Sequence, residues 1–463
     1  MATLSSTAPG TGGVSLKRSL TLTDLILYGV IVIQPVAPMS AFGVLSTTGR
    51  GHVVTTILIA MVAMLFTAIS YGRMARAYPS AGSAFTYVGQ ELNPALGYVT
   101  GWSMVMDYML NPMICIIWCS QWANVIAPGI PYWGWAVLFA VLFSGLNIQG
   151  IKTSARVNAV LAIGMGVVVA IFFVAAARFI FGGPHGAGFF SMPFFDPKMF
   201  NAQAVLGATS IAVLTYIGFD GISTLSEECH NPRRNILLAT VFTCLVIGVL
   251  SAVEVYAAQL VWPASQTYPN VDSAFAYVAG RAWAPLFAVV GFTLLIANFG
   301  SGMGAQIGAA RLLFGMGRSS ALPKSFFGAV SPKHNIPRNN VLFVGAIALA
   351  GAFLLPLIGG PLTGYGLGAS LLNFGALIAF MGVNAAAFTR YFVRAQQKKI
   401  TNLLWPVLGF LICLVLWWNL TTQAKILGAI WMALGIAYGA WKTRGFRGDL
   451  VNFDLPPEEP STG

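Results

Sequence analysis

Charge is what this chain has least of. Only 8% of its 463 residues are Asp, Glu, Lys or Arg, against about 25% in a soluble domain. With 57% hydrophobic residues and a mean hydropathy of +0.76, a water-soluble protein is excluded. Long polar stretches are missing too, apart from the tails Met1–Thr21 and Arg444–Gly463, so no separate soluble domain is expected. The N-terminal tail has no short apolar core with a small-residue cleavage site, so the first apolar run is expected to stay as an anchor. Cysteine is sparse and odd in number: Cys115, Cys119, Cys229, Cys244 and Cys413 lie in or beside apolar segments. Cys115 and Cys119 sit one helical turn apart, but no His or second pair completes a metal set. No Ser/His/Asp or His/Glu cluster suits catalysis, and Gly315–Arg318 (GMGR) is a helix end rather than a nucleotide loop. Neither enzyme chemistry, nor a metal, nor a cofactor is expected. The net charge of +12 comes from basic residues scattered singly and in pairs at the ends of apolar runs. Topology produces that distribution; a nucleic-acid-binding stripe does not look like it.

What is present in quantity is the apolar run of about 20 residues, the length of a membrane-crossing helix. Twelve such runs fall near 22–46, 54–77, 95–127, 132–148, 156–181, 202–226, 236–262, 283–310, 340–358, 366–389, 402–420 and 424–441. The predicted layout is a tail over 1–21, a twelve-span membrane domain over 22–441 and a second tail over 442–463. If the N-terminus is cytoplasmic, twenty of the 25 basic residues fall on the inner side. Only Arg50, Arg178, Lys198, Arg281 and Lys425 fall outside. The positive-inside rule therefore puts both termini in the cytoplasm.

Two runs carry defects that hydrocarbon does not tolerate without a reason. The stretch Tyr216–Pro232, YIGFDGISTLSEECHNP, places Gly218, Asp220 and Gly221 where a spanning helix should be continuous. Gly costs about 1 kcal/mol in a helix interior, and a carboxylate at membrane depth costs roughly 2.5–3.5 kcal/mol or more. Span one, YGVIVIQPVAPMSAFG from Tyr28 to Gly43, has Pro35 and Pro38, each of which removes a backbone donor. Spans one and six are equivalent if the first ten spans form two five-span halves, about 22–181 and 202–389, with peripheral helices at about 402–441. Paired interruptions at equivalent places are the sequence pointer to a midplane substrate site. Three carboxyls lie well inside spans: Asp107, Asp220 and Glu254.

These residues resemble the amino acid–polyamine–organocation superfamily. The motifs that carry the likeness are YIGFDGISTLSEECHNPRRNI, YPSAGSAFTYV after span two, and NIQGIKTSARVN entering span five. Within it, TAISYGRMARAYPSAGSAFTYV, GWSMVMDYMLNPM, RLLFGMGR and LLNFGALIAFMGVN are similar to the bacterial putrescine importer branch. The resemblance implies an all-α membrane protein with a five-plus-five inverted repeat, broken helices 1 and 6, and substrate between spans one, three, six, eight and ten. It implies proton-coupled uptake, or exchange, of a small amine or amino acid across the bacterial cytoplasmic membrane. Ile33, Gln34, Pro35, Asp107, Tyr108, Tyr216, Gly218, Phe219 and Asp220 are the substrate-site candidates. Asp220, Glu254, Glu227 and Glu228 are the candidates for proton coupling or gating, the glutamate pair resembling, with Arg233 and Arg234, an inner-gate element. Asp220 resembles the superfamily's span-six acid, which is linked to gating or proton coupling; since desolvation raises a carboxyl pKa and a nearby cation lowers it, a substrate ammonium could compete with a proton there. Protons rather than sodium are the expected coupling ion, although hydroxyls and freed carbonyls are also sodium ligands. This chain departs from the pattern in breaking span one with proline instead of glycine and in lacking the acid that the putrescine branch has there. Trp102, Trp118, Trp122, Trp133 and Trp135 are expected at the lipid–water interfaces. Oligomeric state is left open.

Overall fold

The computed structural model describes residues 20–78, 83–149, 155–186, 188–318, 322–331, 336–358, 363–395 and 398–446. The first helix starts where the sequence supplies a capping box. The Thr21 hydroxyl accepts from the Asp24 amide, and the Asp24 carboxylate accepts from the Thr21 amide at 2.8 Å. That helix, α1 (Leu22–Ile33), is followed after three residues by α2 (Ala37–Thr48) and then by α3 (Val53–Ala77). A short helix, α4 (Ser83–Glu91), leads into α5 (Pro94–Ile126), whose Asn93 cap and leading Pro94 fix its start. Next come α6 (Tyr132–Ile148), α7 (Ala155–Phe181) and α8 (Ala202–Ala212). Tight 3₁₀ turns over Val213–Tyr216 and Asp220–Glu228 lead to α9 (Pro232–Val261). The second part of the chain forms α10 (Ala274–Ala282), α11 (Leu286–Arg318), α12 (Lys324–Phe327), α13 (Arg338–Ile358), α14 (Gly364–Phe388), α15 (Ile400–Trp418) and α16 (Thr422–Lys442). Among the described residues there is no strand, only two isolated bridges. Among the described residues, ten helical segments are long and apolar enough to cross a membrane.

The packing separates a lipid-facing shell from an inner bundle. α9 lies along α3, and α5 is held between α11 and α14. α7 shows the opposite character, with Val160, Ile163, Val167 and Val174 all more than half exposed on one side. Two of the tryptophans expected at the interfaces are core residues instead: Trp118 and Trp122 are 1% and 0% exposed. Room for Trp122 exists because residue 291 is glycine; a Cβ there would lie 1.7 Å from the indole. Trp102 is also turned inward, stacked on Trp431 of α16 at 4.8 Å, and each indole N–H donates to the other residue's carbonyl. Trp133, at 59% exposure, is the outward-facing member of the set. The helices α4 and α10 lie in stretches read as loops, since nine residues give no spanning-length apolar run.

Candidate functional site

Between α1 and α2 the chain leaves helical geometry at Gln34, whose φ of 71° lies in the left-handed region unfavourable for a side chain. Two bonds hold it there: its amide N–H reaches Val30 O at 3.0 Å, and its side-chain Nε2 donates to Ala297 O of α11 at 2.7 Å. Pro35 follows without a donor, and α2 restarts with the Ala37 amide on Gln34 O at 3.2 Å. Asn298 of α11 adds a second strut, donating to the Ser40 hydroxyl at 3.0 Å. Ile33 and Pro35 are buried and Gln34 half-buried.

The second interruption is held from α14. Asn373 Nδ2 donates to the Ser210 and Ile211 carbonyls at 2.7 and 3.0 Å, groups that the end of α8 would otherwise leave open. Gly218 then takes a φ of 123°, which a side chain would strain. Its amide donates to Asp220 Oδ1 at 3.2 Å. The Tyr216 hydroxyl is turned away toward Ile57 O of α3 at 2.8 Å, so Tyr216 braces the turn.

Around Phe219 and Asp220 the bundle forms an aromatic wall. The Tyr71 ring of α3 lies 6.2 Å from Tyr87 of α4, 5.6 Å from Phe219 and 5.8 Å from Phe380 of α14. Phe219 and Phe380 close the set at 5.4 Å. Asp220 lies within electrostatic reach of Asp107 and Tyr108 on α5 and of Tyr71. Both acids are buried, at 5% exposure for Asp107 and 3% for Asp220. Tyr108 is half-buried and its ring passes Gly308 of α11, close enough that a Cβ there would lie 3.2 Å away. Tyr28 of α1 also acts on Tyr108. The Tyr71 hydroxyl has no hydrogen-bond partner among the described residues. Among those residues the ion pairs involve neither Asp107 nor Asp220.

Asp107, Tyr108, Phe219 and Asp220 thus come together, with the Ile33–Pro35 turn tied to α11 through Gln34. Glu254 does not join them. It is fully buried on α9, neither of its oxygens is hydrogen-bonded among the described residues, and it makes no electrostatic contact with Asp107 or Asp220. Glu227 and Glu228 end the 3₁₀ turn, and their side chains lie outside what the structure describes; Arg233 and Arg234 are exposed. Tyr71, Tyr87 and Phe380 were not singled out from sequence, although all three stand inside the motifs quoted above.

Two further acids sit at opposite ends of the bundle. Asp272, just before α10, is 4% exposed and accepts from the hydroxyl of Thr363, the cap of α14, at 2.6 Å. Burial pushes its carboxyl up to about 6, with the Thr363 bond pulling the other way. Glu91, at the end of α4, is 1% exposed and receives Arg390 at 2.6 Å, Arg394 at 2.9 Å and the Tyr78 hydroxyl at 2.7 Å.

Chemically, the cluster offers carboxyl groups and ring faces and, among the described residues, no cation paired with them, which suits a positively charged guest. Spanning-length apolar helices packed around a buried acid pair define a multi-pass membrane protein. The chain belongs to the amino acid permease family, whose profile matches residues 36–453. It is 35% identical over 457 residues to the low-affinity putrescine importer PlaP of Escherichia coli, covering 96% of this chain and 98% of that one. That similarity places it in the putrescine importer branch of the amino acid–polyamine–organocation superfamily. It is also 27% identical to the branched-chain amino acid permease BcaP of Bacillus subtilis, over 93% of this chain and 94% of the relative. A manganese transporter mutant from Eremococcus coleocola has the same fold, with a TM-score of 0.53 at 11% identity, covering 90% of this chain and 94% of that one. The family is one of transporters, not enzymes, and the chain is a multi-pass protein of the bacterial inner membrane.

Proposed function

We propose that this protein imports a small organic amine, with the putrescine class favoured over amino acids, by coupling its entry to protons. One observation carries the reading: Asp107 and Asp220 lie buried together among Tyr71, Tyr87, Tyr108, Phe219 and Phe380, and no basic side chain is paired with either acid among the described residues. A zwitterionic amino acid needs donors for its carboxylate as well as an acceptor for its ammonium. Here the Gly218 amide is already engaged by Asp220, and Pro35 and Pro38 contribute no N–H. The missing acid in span one is compensated by the pair on spans three and six.

The architecture supporting this function is twelve spans, counting α1 with α2 as one and the 17-residue α6 as another beside the ten long segments. Spans one and six are the discontinuous helices of a five-plus-five inverted repeat over about 22–181 and 202–389, with α15 and α16 peripheral and both termini cytoplasmic. Asp220 is the proton-linked acid, because it sits both at the interruption and on the guest. Exchange of an amino acid for its amine would use the same site, and a countersubstrate loaded inside vesicles separates the two modes. The test is uptake by proteoliposomes of labelled putrescine, other diamines and a panel of amino acids under an imposed pH gradient. Accumulation of diamines supports the reading. Accumulation restricted to neutral amino acids removes it while leaving the family assignment intact.

A further inference from the structure

A second cleft, remote in sequence from the acid pair, lies where the ends of α7 and α9 meet α10. Its volume is about 910 Å³, and its walls include Ile171, Val174, Phe179, Leu260 and Trp283. Its lining includes two basic side chains, Arg178 and Arg281, with His185 beside them, while no acid is among its described lining residues. Both arginines are exposed and neither has a carboxylate partner among the described residues. Arg281 is held in place without being neutralised: it donates to Gln266 and lies over the Trp262 and Phe179 rings at 5.2 and 5.7 Å.

The wall of this cleft continues as the lipid-facing row of α7. Val160, Ile163, Val167, Ile171 and Val174 follow three- and four-residue steps, and their exposures run from 38% to 71%. The centre of α7 falls at about residue 168, so Arg178 stands about 15 Å further along the axis. That distance is half of a hydrocarbon core about 30 Å thick, which puts the guanidinium at headgroup level when the helix centre is at the midplane. Ordinary annular lipid needs no cleft and no unneutralised pair of guanidiniums.

We propose that this cleft binds an anionic phospholipid of the outer leaflet, with its phosphate at Arg178 and Arg281 and an acyl chain along Val174 and Ile171. Guanidinium is suited to the phosphate because its donors can pair two oxygens at once. The inference is independent of the identity of the transported molecule. Occupancy would join α7 to α10, the two elements whose residues line the cleft from opposite sides in sequence.

The test uses the purified full-length protein in neutral detergent, melted with dioleoyl phosphatidylglycerol, with dioleoyl phosphatidylcholine, or with inorganic phosphate alone. Phosphatidylglycerol is expected to raise the melting temperature of the unaltered protein well beyond the other two. The double variant Arg178→Gln/Arg281→Gln is expected to bind phosphatidylglycerol about 30-fold more weakly, the combined contribution of two basic residues at a membrane surface. Equal shifts with both lipids overturn the proposal, as does a phosphatidylglycerol shift of full size in the double variant. A full shift with phosphate alone replaces the lipid by a free anion and also overturns it. If the double variant does not fold, native mass spectrometry of the unaltered protein from mixed micelles decides. Retained phosphatidylglycerol in excess of its micelle fraction upholds the site, and retention at that fraction overturns it.

Discussion

Asp220 has two kinds of neighbour: the Gly218 amide at the interruption and, from the facing helices, Asp107 with the phenols of Tyr71 and Tyr108. On the proposed function, a carboxylate bonded to the turn backbone would sense both the guest and the local conformation. Asp220→Asn is therefore expected to abolish proton-driven accumulation while leaving the melting temperature close to that of the unaltered protein; unchanged accumulation in proteoliposomes would remove Asp220 from the coupling. Tyr108 offers a ring face, worth about 0.5–2 kcal/mol to a cation, so Tyr108→Ala should raise the apparent KM for an amine about 2- to 30-fold. An unaltered KM would make Tyr108 a packing residue against Gly308. Asp272 gives a prediction about pH. Its folded-state carboxyl titrates near 6 because of burial, against an ordinary value of 3.8, so the folded protein holds that proton more tightly than the unfolded chain. Its contribution to stability is fully present below about pH 4 and is lost as pH rises through about 6, an effect of about 3 kcal/mol. Melting curves at pH 4.5 and 7 should show this loss, and Asp272→Asn should flatten that part of the pH dependence.

At the scale of elements, side chains fasten the interrupted helices to their neighbours. Asn373 closes the carbonyl end of α8, Gln34 and Asn298 tie the α1–α2 turn to α11, and Glu91 binds α4 to the residues following α14. Arg390 and Arg394 are 37% and 57% exposed, so solvent weakens each pairing. The buried carboxylate is the costly group to leave unpaired, and Glu91→Gln should destabilise by about 1–3 kcal/mol. A double-mutant cycle with Arg390→Gln checks this, and additive losses would mean that the two do not interact. The long apolar elements were legible in the sequence because a bilayer forces a length and a composition on them. Proline at 35 and glycine at 218 were legible for a related reason: each violates a local rule and needs a tertiary explanation. The aromatic wall was not legible. Tyr71, Tyr87 and Phe380 converge from three helices, and on any one of them an aromatic residue reads as packing. Trp118 and Trp122 misled in the opposite sense, because only Gly291, far away in sequence, makes the cavity that buries Trp122.

For the molecule as a whole, the scarcity of charge becomes a topological signal and an energetic one. By the positive-inside rule the basic residues would mark the inner side, and two of the three intramembrane acids, Asp107 and Asp220, lie together, with Glu254 set apart. Proton coupling through those acids predicts that uptake collapses with a protonophore and persists when sodium is replaced by choline. Collapse on sodium removal alone would reassign the coupling ion. None of the five cysteines forms a disulfide, and all five are buried. A maleimide probe therefore meets a chain with no accessible native thiol, so one cysteine introduced at a chosen position can be labelled without first removing the others. Cys115 and Cys119 lie on α5, the helix that carries Asp107. If substrate makes either of them reactive, the protein reports its own opening without any substitution.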